Sequence, residues 1–280
     1  MSPHGEQVTR EGGFRRMTGV RRGCVTVERS SSRGLPFRLS TSTVRGATLR
    51  VVLVHGIGMS HRYMRRLHEA LRLQATVVSV DMPGHGGVRR PDGDATVADM
   101  ALALAEAVPA VPGVTTVWVG HSMGAQWVTE LVGSSHPGRR AGRPADGIVL
   151  IGPVADARRR SPLAHAARLG SDMLRESPLA NAIVLGDYVR CGIPWYVAQL
   201  RHMLAYPIEA RLSAVPVPVL VLRGSRDPIA VTEWCRLLAD RAPDGRLIEI
   251  GSHAHMVQHG AARAVADCIV EFARDAARSQ

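Results

Sequence analysis

Six short apolar runs, at 49–55, 75–80, 115–119, 147–151, 217–222 and 247–250, constrain the fold of this chain more than any other feature. Strands that are apolar on both faces belong in a parallel sheet covered on both sides. Helix-length amphipathic segments lie between most of the runs, at 60–73, 97–108 and 125–132. Strands alternating with helices predict an α/β fold with a doubly wound, mostly parallel sheet.

The ends and one long interval depart from that alternation. Residues 1–22 are rich in Gly, Arg and polar side chains without usable periodicity, and are expected to be a mobile tail, with Met17 as an alternative start. Cys24-Val25-Thr26-Val27-Glu28-Arg29, a polar turn ending in Arg33-Gly34, and Leu35-Pro36-Phe37-Arg38-Leu39 read as a leading β-hairpin. Between the runs at 147–151 and 217–222 lie about 65 residues with several helix-like stretches, too long for a plain crossover. They predict a small inserted helical cap over 155–215, dividing the core into 23–154 and 216–280. Large apolar side chains in it, including Tyr188, Trp195 and Met203, are expected mainly to pack the cap down, with a few lining a pocket.

Composition excludes several function classes. The formal charge is +11, but all 35 basic residues are arginine, and ten arginines against three glutamates in the first fifty residues supply +7 of it. The remainder has no basic stripe with interleaved aromatics, so no nucleic-acid partner is expected. No apolar run approaches the ~20 residues of a membrane span. The N-terminal arginines have no apolar segment behind them, which argues against a signal peptide and makes a cytoplasmic location the expectation. Cys24, Cys191, Cys235 and Cys268 are far apart, without a C-x-x-C pair, so reduced thiols and no metal site are expected.

The chemistry-bearing stretch is the run that ends in Gly120-His121-Ser122-Met123-Gly124. A serine between two glycines, where a strand gives way to a helix, reads as a nucleophile elbow. The turn must be very tight for the hydroxyl to stand clear of the backbone, and side chains two residues before and after would collide. The following helix aims its N-terminal N–H groups at the reacting centre. Glycine is one residue in ten here, so the pentapeptide alone decides little. Its partners do.

A serine hydroxyl needs a base to take its proton, and the base needs a third group to hold its tautomer. In α/β folds that carry such an elbow, the acid follows the nucleophile in the chain and the histidine comes last. Asp227, reached from the run at 217–222 through Arg223-Gly224-Ser225-Arg226, stands where α/β sheets place their ligands. Asp156, after the preceding run, is the fallback. After the last run, Gly251-Ser252-His253-Ala254-His255-Met256 offers two histidines, with His259 a more distant third.

Five segments together resemble the α/β-hydrolase family, of the cap-bearing esterase and lipase type: Val54-His55-Gly56-Ile57-Gly58, Asp81-Met82-Pro83-Gly84-His85-Gly86, the Ser122 elbow, Gly224-Ser225-Arg226-Asp227-Pro228 and His255-Met256. The resemblance runs from about residue 24 to the C-terminus. It implies a Ser122–His255–Asp227 triad, since the family histidine stands ten residues before a valine, as His255 does before Val265. Ala254 departs from the usual glycine and keeps His253 in contention. The resemblance also implies an oxyanion hole from the N–H groups of Met123 and Ile57, a bracing role for His55, and loop-holding roles for Asp81 and His85. The expected function is hydrolysis of a carboxylic ester or thioester through an acyl-enzyme, on a largely apolar small-molecule acyl substrate, without metal or cofactor. Acyl transfer, lactonisation or carbon–carbon bond hydrolysis by the same triad is the alternative, and a non-catalytic ligand-binding protein is a third reading.

Overall fold

The computed structural model describes residues 17–22, 25–133 and 144–278. The chain opens with an antiparallel meander of β1 (Met17–Arg22), β2 (Val25–Ser32) and β3 (Leu35–Ser42). Arg33 and Gly34 join β2 to β3 at φ of 53° and 79°, the two left-handed residues that a two-residue hairpin needs. β1 corrects the expectation of a tail over 1–22. Residues 17–22 pair along β2, whose open edge can take a further strand through backbone groups alone. Residues 1–16 of the expected tail, and Cys24, lie outside the described residues.

The apolar runs become six parallel strands: β4 (Leu49–Val54), β5 (Thr76–Asp81), β6 (Thr115–His121), β7 (Gly147–Ile151), β8 (Val219–Gly224) and β9 (Gly245–Ile250). With β3 antiparallel to β5, the sheet has nine strands in the order β1-β2-β3-β5-β4-β6-β7-β8-β9. The helices follow as α1 (His61–Leu71), α2 (Val97–Ala107), α3 (Gly124–Gly133), α4 (Pro162–Met173), α5 (Pro178–Cys191), α6 (Ile193–Ala205), α7 (Ile208–Arg211), α8 (Thr232–Arg241), α9 (Val257–Gly260) and α10 (Ala262–Arg278).

Strand alternation divides the core into two layers. Val51 and Leu53 of β4 pack with Met64 and Leu67 of α1 and with Ile269 and Phe272 of α10. Val52 and Val54 point the other way, into a layer with Leu104 of α2, Trp127 of α3 and Trp234 of α8. Both faces are therefore covered, which is why the strands read as apolar throughout. Capping sets the start of α2, where Thr96 accepts from the Asp99 N–H while the Asp99 side chain accepts from the Thr96 N–H.

The order β5-β4-β6 means that the chain leaves β4 to one side and returns on the other. Such a reversal opens a crevice at the C-terminal ends of β4 and β6, where α/β sheets bind ligands. Helices α4–α7 are inserted between β7 and β8. α5 buries Ala180, Val184, Asp187 and Cys191, and α6 buries Trp195, Gln199 and Met203, both at helical spacing. Of the α4 side chains, that of Asp172 is buried.

Leu53 lies in the central strand with no exposure, whereas Leu73, just beyond α1, is 75% exposed. Leu53→Ala is expected to cost about 2–5 kcal/mol, and Leu73→Ala no more than about 0.5 kcal/mol, in urea unfolding midpoints.

Candidate active site

Ser122 sits between the end of β6 and the start of α3 at φ 56°. A non-glycine residue in this region carries strain of about 1–3 kcal/mol and persists only where its surroundings enforce it. The enforcement is steric and directional. The Ser122 N–H donates to the Ile151 carbonyl at 2.9 Å, and its own carbonyl accepts from Ala125 at 3.1 Å. A Cβ on Gly120 would lie 2.3 Å from the Gly124 carbonyl oxygen, and one on Gly124 would lie 2.5 Å from that of Val54. A Cβ on Gly56, after β4, would approach the Ser122 Cβ to 2.9 Å. The loops after β4 and β6 therefore touch at the crevice. Ile57, Met123 and Ser122 are all buried, and Ile57 and Ser122 line the same cavity.

Asp227 lies beyond β8, where the sequence places it. One carboxylate oxygen accepts from the N–H groups of Ile229 and Ala230 at 2.7 and 2.9 Å, and the other accepts from His255 Nδ1–H at 2.8 Å. The turn that carries it is held by Arg223, a buried side chain that sequence reasoning did not single out. Its guanidinium donates to the carbonyls of Ala230 at 2.6 Å and Asp227 at 3.1 Å and pairs with Glu249.

His255 lines the cavity with Ser122. Burial opposes its charged form, but the charge and hydrogen bond of Asp227, then the charges of Asp172 and Glu176, outweigh it and push its pKa up to about 9. Gly152, at φ 53°, lies beneath the pair, where a Cβ would come within 3.0 Å of the His255 ring. The competing candidates are placed elsewhere. Asp156 accepts from the Arg158 backbone and guanidinium. His253 contributes its carbonyl to the Arg226 N–H, and its ring lies against Gly260. His259 is buried on α9, beside Arg65 and Arg66.

His55 accepts from the Met82 N–H at Nε2 and donates from Nδ1 to the Gly56 carbonyl, which fixes the neutral Nδ1–H tautomer, and burial lowers its pKa. Asp81 accepts from Arg38 at 2.7 Å and from the backbone and ring of His61 at 2.6 and 2.7 Å. His85 donates to the Pro83 carbonyl and stacks near His55. Each holds a loop.

Three polar cavity residues carried no readable sign in the sequence. His121 donates from Nε2 to the His255 carbonyl at 3.1 Å and accepts from Tyr63 at Nδ1, and burial, then the charge of His255, holds its pKa well below the ordinary value. Asp172 accepts from the His255 N–H at 3.0 Å. His165 faces the same space, its pKa pushed down to about 4 by burial and by the charges of His255 and Arg168. The cavity encloses about 40 Å³, with apolar walls from Ile57, Leu169, Val184 and Ile229.

A buried, strained serine at the switch point of such a sheet, with a carboxylate-held histidine in the same cavity, is the architecture of a hydrolase. A profile described as the alpha/beta hydrolase family matches residues 51–268, and the chain belongs to that family. No curated protein sequence matches it. An enol-lactonase from Burkholderia xenovorans aligns over 86% of this chain and 97% of its own at 21% identity, with a TM-score of 0.70. A thermophilic esterase from Thermogutta terrifontis aligns over 95% and 99% at 22% identity, with a TM-score of 0.65. The 2-hydroxy-6-oxo-6-phenylhexa-2,4-dienoate hydrolase of a Rhodococcus strain aligns over 89% and 99% at 20% identity, with a TM-score of 0.68. Among the described residues no helix is long and apolar enough to cross a membrane.

The Gly124 contacts are to backbone atoms that cannot swing aside. Gly124→Ala is expected to destabilise the protein by about 3 kcal/mol or more, read as a lowered thermal midpoint.

Proposed function

We propose that this chain is a serine hydrolase of carboxylic esters or thioesters, with Ser122 as nucleophile, His255 as base and Asp227 as the group that orients the base. The observation that carries the reading is the pairing of a strained serine with a carboxylate-held imidazole at one cavity. His255 Nε2 takes the Ser122 proton as Oγ attacks the acyl carbonyl. The tetrahedral oxyanion is held by the N–H groups of Met123 and Ile57, at the loops that meet beside Ser122. His255 then gives its proton to the leaving alcohol or thiol, and an acyl-enzyme remains. Water, deprotonated by the same imidazole, attacks the acyl carbon and releases the acid, returning the proton to Ser122. Asp227 fixes the Nδ1–H tautomer and stabilises each transient imidazolium without itself taking a proton.

The apolar walls suit an acyl chain of low polarity. The Asp172 carboxylate at the wall disfavours an acyl group that carries its own anion, as a dienoate does, and so supports a neutral ester over that substrate type. The chain is read as a small-molecule enzyme without metal or cofactor.

Ser122→Ala is expected to reduce turnover of p-nitrophenyl acyl esters by about 10⁴–10⁶, with no Ser122 adduct formed by a fluorophosphonate probe. Retained turnover would sink the assignment. The base must be neutral to accept a proton, and although burial opposes it, the carboxylates around His255 push its pKa up to about 9. kcat/KM is therefore expected to climb with pH across neutrality into the alkaline range. An acid limb centred at or below the ordinary histidine value of 6.5 would contradict this environment.

A further inference from the structure

Three carboxylates surround His255, and the reaction proposed above accounts for one. Asp172, in the last turn of α4, accepts from the His255 N–H at 3.0 Å, and Glu176, just beyond that helix, accepts from the Met256 N–H at 2.9 Å. Both donors belong to the loop between β9 and α9 that carries the imidazole. The groups facing His255 come from four directions: Asp227 beyond β8, His121 at the end of β6, Asp172 and His165 on α4, and Glu176 on the α4–α5 connection. The two histidines are held neutral by burial, so the acids set the charge around the ring.

The inserted segment is anchored unevenly. α5 and α6 are bound to the core by buried hydrogen bonds, from Ser60 to Asp187 at 2.6 Å, Trp195 to the Pro83 carbonyl at 3.2 Å and Gln199 to the Ala95 carbonyl at 3.0 Å. α4 is largely solvent-facing, with Leu163 82% and the adjoining Leu174 89% exposed. The cavity beneath it has room for roughly three waters, at about 40 Å³. Of the three long helices of the insertion, α4 buries the fewest side chains.

We propose that Asp172 and Glu176 are positioning residues that couple the seating of α4 to the base: as the helix closes over substrate, their carboxylates fix the His255–Met256 backbone and add negative charge beside the imidazole. This rests on the reading of Ser122 and His255 as nucleophile and base. With α4 seated, the imidazolium that forms when Ser122 loses its proton is stabilised by three carboxylates; with α4 displaced it has Asp227 alone. Burial, the larger influence on the Asp172 and Glu176 carboxyls, pushes both up, and His255 opposes it.

Asp172→Asn and Glu176→Gln keep an oxygen acceptor for each N–H and remove the charge, so they separate electrostatics from scaffolding. The readout is the pH dependence of Ser122 labelling by a fluorophosphonate, which needs no knowledge of the natural substrate. Each variant is expected to move the acid limb to lower pH by roughly half a unit or more, and the double variant further. Asp172→Ala, which also removes the acceptor, is expected to slow labelling at least tenfold at the optimum. An unshifted limb in both isosteric variants overturns the proposal. Glu176 is half-buried, so Glu176→Gln carries the test should Asp172→Asn fail to fold. The His255 ring titration by NMR, assigned with His255→Gln, reads the same shift without any reaction. Absence of labelling in the wild type refutes the serine-hydrolase reading, and with it the role of the two carboxylates in positioning a base, whereas an unshifted His255 titration in a wild type that does label overturns the proposal alone.

Discussion

The site depends on a contact too close for side chains. At the crevice between β4 and β6, the Gly124 Cα packs against the carbonyls of Val54 and His55, and Gly120 packs against Gly124 itself. A single Cβ at either glycine would force two backbone segments apart by more than any rotamer change could relieve. That approach brings the loop after β4 beside Ser122, and it turns the chain sharply enough to leave Ser122 at positive φ. The strain is sustained because the surroundings are rigid: β4, β6 and β7 are buried on both faces, and the Ser122 N–H is bonded to the end of β7.

Around this frame, electrostatics determines what the buried imidazole can do. An isolated histidine at this depth would be neutral, as His121, His85 and His55 are. His255 departs from them because its partners are anions rather than carbonyls or other rings. Asp227 can play that part since one oxygen is already satisfied by two backbone N–H groups, which leaves the other oxygen for Nδ1. Arg223 holds the turn without touching the carboxylate, so it orients the acid and does not compete for it.

Much of this was legible in the sequence, for identifiable reasons. Buried parallel strands must be apolar on both faces, and the elbow requires glycines, so both leave marks in residue order. Asp227 and His255 stand at strand ends, where position itself is informative. β1 left no such mark, because Met17–Arg22 joins through backbone pairing and its residue order has no regular apolar–polar alternation. Asp172 and Glu176 were invisible for a different reason. An acid on an amphipathic segment rich in arginine reads as a solvated face, and only the tertiary path of α4 turns these two inward. The two N–H groups they satisfy are anonymous in sequence.

The uneven anchoring of the insertion also bears on selectivity. α5 contributes the wall residues Val184 and Tyr188, and both it and its neighbour α6 are pinned by buried side-chain hydrogen bonds, so that wall is fixed. The opposite wall, Leu169 and Met173, rides on a helix with little buried surface. A charge-assisted hydrogen bond contributes about 1.5–3 kcal/mol, and burying one methylene about 0.8 kcal/mol. An acyl chain of a few methylenes lying against Leu169 and Met173 therefore supplies apolar contact comparable to the two carboxylate bonds that seat α4. On the proposed reading, acyl length acts through the same element that positions His255. Chains that held α4 closed would gain both binding and a correctly set imidazole, while shorter ones would leave it with Asp227 alone. Discrimination by length would then be expressed in the chemical step as well as in affinity, as where binding energy is used to assemble the transition-state environment.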